Sequence, residues 1–128
     1  MGIFDNFIKP VYAHCDLPCG VYDPAQARIE ALSIKAIATK YDGLDEHNKQ
    51  RAVIINEERA ELVKHHLWVL WTDYFKPEHL EKHPGLHDLF WRATKQAGEC
   101  KHHMSVDEAD KLLGLIDEIA EVFAETKK

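Results

Sequence analysis

Residues 105–113 read Ser105-Val106-Asp107-Glu108-Ala109-Asp110-Lys111-Leu112-Leu113 and begin the clearest helical pattern of the chain. Ser105 and Glu108 form the Ser-x-x-Glu capping box that is typical of a helix N-terminus. The apolar residues that follow recur at intervals of three and four, namely Ala109, Leu112, Leu113, Ile116, Ile119, Ala120 and Phe123. Such a stripe buries one face of a helix, so this stretch predicts an amphipathic helix that packs against other helices.

Three more helices are predicted upstream of this one. The first begins at Asp23-Pro24, an N-cap followed by a proline, and ends at Asp42-Gly43. The second runs from about Glu46 to Phe75 and is stopped by Lys76-Pro77. The third begins near Pro84 and frays toward the polar residues 98–103. Four helices with short connections predict an all-α fold, an antiparallel four-helix bundle to which residues 14–22 are an irregular N-terminal extension.

The predicted core-facing residues of these three helices are apolar residues at helical spacing. In the first helix they are Ile29, Leu32, Ala36 and Ile37. In the second they are Val53, Ile54, Leu62, Val69 and Leu70. In the third they are Leu86, Leu89, Phe90, Ala93 and Ala97. We expect Trp68, Trp71, Trp91 and Phe75 to lie in the core or at a subunit interface.

The composition is that of one small acidic domain. The chain has 128 residues, of which 45% are hydrophobic and 30% are charged, and this supports a single core. The formal net charge is −6, and the lysines and arginines form no basic stripe that could bind a nucleic acid or an anionic membrane. No apolar run approaches the roughly 20 residues that span a bilayer. We therefore expect a soluble, cytoplasmic protein with no nucleic-acid or membrane partner.

Metal-ligating side chains are concentrated in residues 14–22, His14-Cys15-Asp16-Leu17-Pro18-Cys19-Gly20-Val21-Tyr22, here called the hook. One imidazole and two thiols lie within six residues, and the proline and glycine allow the chain to fold back around one ion. Thiolates favour zinc, copper, iron or nickel over magnesium or calcium. The hook therefore predicts a metal site.

The adjacency of His14 and Cys15 narrows the choice of metal. Two neighbouring side chains meet on one ion only if the backbone between them bends tightly, which brings a peptide nitrogen within reach of the same ion. That nitrogen and a terminal amine, exposed if residues 1–13 are removed, complete a planar nitrogen and sulfur set that suits nickel(II) or copper(II). The small residue Ala13 precedes His14, and residues 1–13 lack the features of a secretory signal.

The hook resembles that of the nickel-containing superoxide dismutase family, whose pattern is His-Cys-x-x-Pro-Cys-x-x-Tyr, at all five fixed positions. The resemblance continues through residues 23–30, 58–62, 64–66, 70–77 and 125–128, and so covers nearly the whole chain after residue 13. It implies a homohexamer that disproportionates superoxide to dioxygen and hydrogen peroxide with one nickel ion per subunit. It also implies a maturation protease that removes residues 1–13, leaving residues 14–128 as the working domain.

The resemblance further implies which residues form the site. The nickel ligands are the amine and imidazole of His14, the backbone nitrogen and thiolate of Cys15, and the thiolate of Cys19. Glu30 and Arg59 match a pair that orients the imidazole. Without the resemblance, Arg59 is an ordinary partner for its neighbours Glu58 or Glu61.

The remaining implied roles concern access of the substrate. Tyr22 and Tyr74 line the small-anion entrance, and Asp16 holds the Tyr22 hydroxyl. Pro18 matches a proline that follows a cis peptide. Because the protein is acidic overall, superoxide needs local positive potential, for which Arg59 and Lys76 are candidates.

Alternatives to the redox enzyme follow from the same residues. One is a helical metallochaperone or sensor that holds nickel, copper or zinc without turnover. Another is thiol-disulfide exchange, or a resting disulfide, between Cys15 and Cys19. We expect Cys100 to be a free thiol. Adjacent helical side chains point about 100° apart, so the pairs His65-His66 and His102-His103 are expected to be solvated or packing histidines rather than metal ligands.

Overall fold

The computed structural model describes residues 20–128, and every regular element in this range is a helix. The α-helices are α1 Ala25–Lys40, α2 Glu46–Val69, α3 Pro77–Lys82, α4 Leu86–His102 and α5 Val106–Thr126. A 3₁₀ turn at Tyr41–Gly43 follows α1, and a π-helical turn at Leu70–Tyr74 continues α2. None of the helices in the described range is long and apolar enough to cross a membrane.

The four long helices form the predicted bundle. Helix α1 packs against α2 and α5, and α4 packs against the same two helices, so the four surround one core. Short connections make successive long helices antiparallel. The predicted all-α fold is therefore confirmed, with the short α3 as an addition.

Side-chain caps define the starts of two of the four long helices, α2 and α5. Asp45 accepts a hydrogen bond of 2.8 Å from the backbone N–H of Asn48 at the start of α2. Ser105 accepts one of 3.3 Å from the backbone N–H of Glu108, as the capping-box pattern predicted for α5. The Glu108 carboxylate accepts hydrogen bonds from the side chains of Gln96 and Lys111, which lower its pKa. Gln96 thereby joins α4 to the first turn of α5.

The core face of α1 is not the one that its large residues predicted, and that prediction was wrong. Ile29 is 59% exposed and Leu32 is 42% exposed, and Ala36 is also exposed. The buried residues are instead Ala27, Ala31 and Ile34. Small side chains on this face let α1 approach α2 and α5 closely, which excludes water from the shared core.

Helix α2 shows the same inversion over its first half. Val53 and Ile54 were predicted to face the core but are 47% and 60% exposed, while Leu62 and Val69 are half-buried. The buried residues are Ala52, Asn56, Ala60, Val63 and Leu67. Of the predicted face, Leu70 alone is buried. The bundle therefore keeps an apolar surface on the outside of α1 and α2.

Helix α4 is longer than predicted. Its predicted core residues are all buried, but the helix does not fray after Ala97 and continues to His102. Cys100 is fully buried, and its backbone carbonyl accepts a 2.8 Å hydrogen bond from the Asn56 side chain of α2. Burial raises the pKa of the Cys100 thiol to about 12, and the thiol is free, as predicted. These contacts hold the last turn of α4 against the core.

Candidate functional site

Two tyrosines meet where the hook joins the bundle. Tyr22 is the last residue of the hook, and its ring centroid lies 5.6 Å from that of Tyr74. Gly20 precedes it with a φ of +71°, a left-handed conformation that side-chain-bearing residues rarely adopt. Tyr74 is the last residue of the π-helical turn. The structure thus brings together the two tyrosines that the resemblance assigns to one entrance.

Tyr74 is surrounded by side chains from two other helices. Its ring lies 4.7 Å from that of Phe123 in α5 and stacks at 5.9 Å on that of His79 in α3. Its hydroxyl lies 2.6 Å from the Thr126 hydroxyl at the end of α5. The Lys127 ammonium lies 5.0 Å from the centre of the ring. The tyrosine is therefore held on several sides, and a cation lies beside it.

Glu30 and Arg59 form an ion pair between α1 and α2, with 2.9 Å between the Arg59 guanidinium and the Glu30 carboxylate. The Glu30 side chain is only 16% exposed. The sequence neighbour Glu61 pairs instead with Lys101 of α4, which lowers the pKa of Glu61. The partner that the resemblance predicted for Arg59 is thus in contact with it. A half-buried carboxylate held in this way is suited to orient a neighbouring donor group.

Metal-ligating side chains do not cluster elsewhere in the described part of the chain. Across residues 20–128 there is no group of three or more histidine, cysteine, aspartate or glutamate side chains that could hold a metal ion. The His65 and His66 rings meet edge to face with centroids 5.6 Å apart, and those of His102 and His103 do so at 6.5 Å. The predicted ligands and their neighbours in the hook, which are His14, Cys15, Asp16, Pro18 and Cys19, lie outside the described residues, as does the leader.

The positively charged candidates differ in their surroundings. Arg59 is committed to Glu30, as described above. Lys76 is exposed at the start of α3, where its backbone N–H donates a 3.0 Å hydrogen bond to the His79 ring. That bond fixes the histidine whose ring stacks on Tyr74. Lys127, which the sequence analysis did not single out, is the cation in contact with the Tyr74 ring.

The sequence did not identify three residues that contact Tyr74 in the structure, namely His79, Thr126 and Lys127. His79 lies on α3, a six-residue helix that the spacing of apolar residues did not reveal. Thr126 and Lys127 lie at the C-terminal end of α5, beyond the apolar stripe. A hydrophobic pattern identifies only the buried face of a helix, so it carries no signal for polar residues that act at a helix end.

Comparison with known proteins gives consistent matches. The family model described as nickel-containing superoxide dismutase matches residues 9–127. The protein named superoxide dismutase [Ni] from Streptomyces coelicolor (strain ATCC BAA-471 / A3(2) / M145) is 54% identical over 119 residues, which are 92% of this chain and 91% of that protein. Its namesake from Streptomyces seoulensis is 55% identical over 119 residues, with the same coverage. The native structure of a nickel superoxide dismutase at 1.30 Å superposes with a TM-score of 0.86 at 53% identity, covering 89% of this chain and 98% of that one.

Proposed function

Because this chain belongs to the nickel-containing superoxide dismutase family, we propose that it converts superoxide to dioxygen and hydrogen peroxide at a nickel ion held by the hook. The reaction consumes two superoxide anions and two protons. The main support for the proposed position of the site is the contact between Tyr22 of the hook and Tyr74 of the bundle. The family match includes the hook, which supports an enzyme rather than a metallochaperone or a thiol-disulfide exchanger.

The proposed ligands are the amine and imidazole of His14, the backbone nitrogen and thiolate of Cys15, and the thiolate of Cys19. This donor set fits nickel, because anionic thiolate and amidate donors stabilise the higher of its two oxidation states. When bound, nickel supplies a one-electron redox couple. The residues described in the structure provide no competing cluster of donors, which supports placing the metal at the hook.

Glu30 and Arg59 are proposed to position the His14 imidazole. The Arg59 guanidinium holds the Glu30 carboxylate at 2.9 Å, and the second carboxylate oxygen can then accept a hydrogen bond from the imidazole N–H. Such a hydrogen bond sets both the tautomer and the orientation of a ligating histidine. The pair spans α1 and α2, so the packing of the bundle fixes the position of the Glu30 carboxylate.

Tyr22 and Tyr74 are proposed to form a narrow entrance for a small anion, with Asp16 holding the Tyr22 hydroxyl. The aromatic contacts of Tyr74 restrict its movement, which supports a fixed aperture that admits superoxide and hinders larger molecules. Arg59 and Lys76 are the proposed sources of positive potential, and Lys76 contributes more because the Glu30 carboxylate offsets the charge of Arg59. The contact of Lys127 with Tyr74 adds a third cation. Attraction of this kind raises the encounter rate of an anionic substrate.

Maturation, assembly and localisation belong to the same proposal. A protease removes residues 1–13 and exposes His14, and the mature chain forms a homohexamer in the cytoplasm. Exposed Ile29, Val53 and Ile54, together with exposed Trp68 and Trp91, support assembly because they leave apolar surface to cover.

The function is tested on protein purified after expression with nickel. We expect intact mass spectrometry to show a chain that begins at His14, metal analysis to show about one nickel per subunit, and a superoxide assay to show rapid consumption. Native mass spectrometry on the same sample tests the hexamer. A full complement of zinc with no nickel, in protein that consumes no superoxide, contradicts the proposal.

Replacing Glu30 by glutamine is expected to slow dismutation by about 10- to 100-fold, the usual cost of losing a partner that orients a metal ligand. The amide keeps the size of the side chain but removes the charge that Arg59 holds. The measurement is the second-order rate constant together with nickel content. The matched control is Asp110→Asn, which removes the 2.8 Å ion pair between Lys35 and Asp110 at an exposed position between α1 and α5. An equal loss in both variants contradicts a positioning role for Glu30.

A further inference from the structure

We propose that Thr126 is a positioning residue that fixes the phenol of Tyr74 at the anion entrance. This inference rests on the proposed function for its catalytic consequence, but the hydrogen bond behind it is a feature of the bundle alone. The Tyr74 and Thr126 hydroxyl oxygens lie 2.6 Å apart, at the point where α5 ends beside the π-helical turn. Both residues are half-buried, so water competes less with this bond than with a bond on an open surface.

The direction of this hydrogen bond follows from the second contact of Thr126. The Thr126 hydroxyl donates its single hydrogen to the backbone carbonyl oxygen of Phe123, at 2.6 Å. A carbonyl oxygen cannot donate in return. The remaining hydrogen between the two hydroxyls must therefore come from Tyr74, which donates to Thr126. The result is a chain of two hydrogen bonds, from the Tyr74 phenol to the Thr126 hydroxyl and from that hydroxyl to the last turn of α5.

The hydrogen bond to Thr126 constrains the Tyr74 hydroxyl, which the aromatic contacts of Tyr74 do not. The rings of Phe123, Phe75 and His79 restrict the plane and position of the Tyr74 ring. No hydrogen bond joins the Tyr74 hydroxyl to these rings among the described residues, so the ring contacts do not fix the direction of the O–H bond. Thr126 commits that hydrogen to α5 and leaves the phenolic oxygen as an acceptor. Tyr74 then acts at the entrance through the position of its ring and oxygen, and not as a donor to the incoming anion.

Thr126 lies close to the C-terminus of the chain, at the end of the bundle where Tyr74 is found. Thr126 is the final residue of α5, and the Lys127 ammonium lies over both the Tyr74 and Phe123 rings at 5.0 and 5.2 Å. The C-terminal turn of the bundle therefore closes over the tyrosine that contacts the hook. Loss of the threonine hydroxyl removes the polar anchor while the apolar packing remains.

The test compares Thr126→Val, which keeps the shape but removes the hydroxyl, with Thr126→Ser, which keeps the hydroxyl. In the nickel-loaded mature protein we expect Thr126→Val to lower the second-order rate constant about fivefold, the size expected for one neutral hydrogen bond, and Thr126→Ser to retain it. Thr39→Val is the matched control, because Thr39 also hydrogen-bonds a carbonyl of its own helix, at 2.8 Å, on the exposed side of α1.

A second readout separates this inference from the proposed function. Carbon-13 labelling at the phenolic carbon of tyrosine, with Tyr74→Phe to assign the signal, reports the hydrogen bond of Tyr74 whether or not the protein consumes superoxide. We expect the Tyr74 signal to move in Thr126→Val and to stay in place in Thr126→Ser and Thr39→Val. An unmoved signal together with an unchanged rate in Thr126→Val overturns the proposal, and so does a Thr126→Ser variant as slow as Thr126→Val. If the wild-type protein fails to consume superoxide, the proposed function fails while the carbon-13 result still decides the hydrogen bond.

Discussion

Replacing Cys15 or Cys19 by serine is expected to abolish nickel binding and to slow superoxide dismutation by about a thousandfold or more, because the reaction depends on the metal. A serine hydroxyl keeps its hydrogen near neutral pH and is a hard donor, whereas a thiolate is a soft anionic one. Two thiolates are the proposed source of the charge that stabilises the higher oxidation state. The measurement is nickel per subunit and superoxide consumption on the same purified sample.

Cys100 provides the matched control for this experiment. It is the third cysteine of the chain, it is fully buried in α4, and burial raises the pKa of its thiol to about 12. The thiol therefore stays protonated through the neutral range and is a poor metal ligand. Cys100→Ala should retain nickel and the wild-type rate. Stoichiometric nickel in Cys15→Ser, or loss of nickel in Cys100→Ala despite a native circular dichroism spectrum, contradicts the assignment of the ligands.

Protein that keeps residues 1–13 is expected to be at least about a hundredfold less active than protein that begins at His14, because it lacks a ligand on which the metal chemistry depends. In the longer chain the backbone nitrogen of His14 belongs to a peptide bond and carries a delocalised lone pair, so it is not the amine that the proposed ligand set requires. The rate measurement is made on nickel-loaded samples whose start residue is established by intact mass spectrometry.

A chain that begins at Ala13 sharpens this comparison. It differs from the mature chain by one small residue, yet it removes the free amine of His14 as completely as the whole leader does. We expect both longer forms to be equally slow and to share the circular dichroism spectrum of the mature protein. Rapid dismutation by protein that mass spectrometry shows to keep Met1 would refute the requirement for cleavage.

The core face of a helix could be predicted where large apolar residues line the core. It could not be predicted where small residues line the core. Helices α4 and α5 bury leucine and isoleucine at regular spacing, and their core residues agree with the spacing pattern. Helix α1 buries Ala27 and Ala31 and exposes Ile29, because close packing between helices selects small side chains. The spacing of large residues then marks the outer face of the helix. The short α3 and the π-helical turn have no periodic signature at all.

The metal site at the hook could be predicted from its own residues, but the residues around it could be predicted only through the family pattern. Glu30 and Arg59 are 29 residues apart in the chain and meet because α1 packs against α2. Nothing local to either residue distinguishes this pair from a contact between Arg59 and its neighbour Glu61. The resemblance supplied the pair, and the geometry shows the contact. The resemblance covers Thr126 but assigned it no role, because its importance depends on a tyrosine that the fold brings to it.

The π-helical turn at Leu70–Tyr74 has a consequence for how this site can change over generations. A π turn is what a helix forms when it accommodates one additional residue without unwinding, and such turns are frequent at functional sites. Deleting one codon within the turn would remove that additional residue and restore regular α-helical geometry, so Tyr74 would stay on nearly the same side of the helix and remain near Tyr22. The turn is therefore a position at which a lineage can lose one triplet of coding sequence and keep both tyrosines at the entrance.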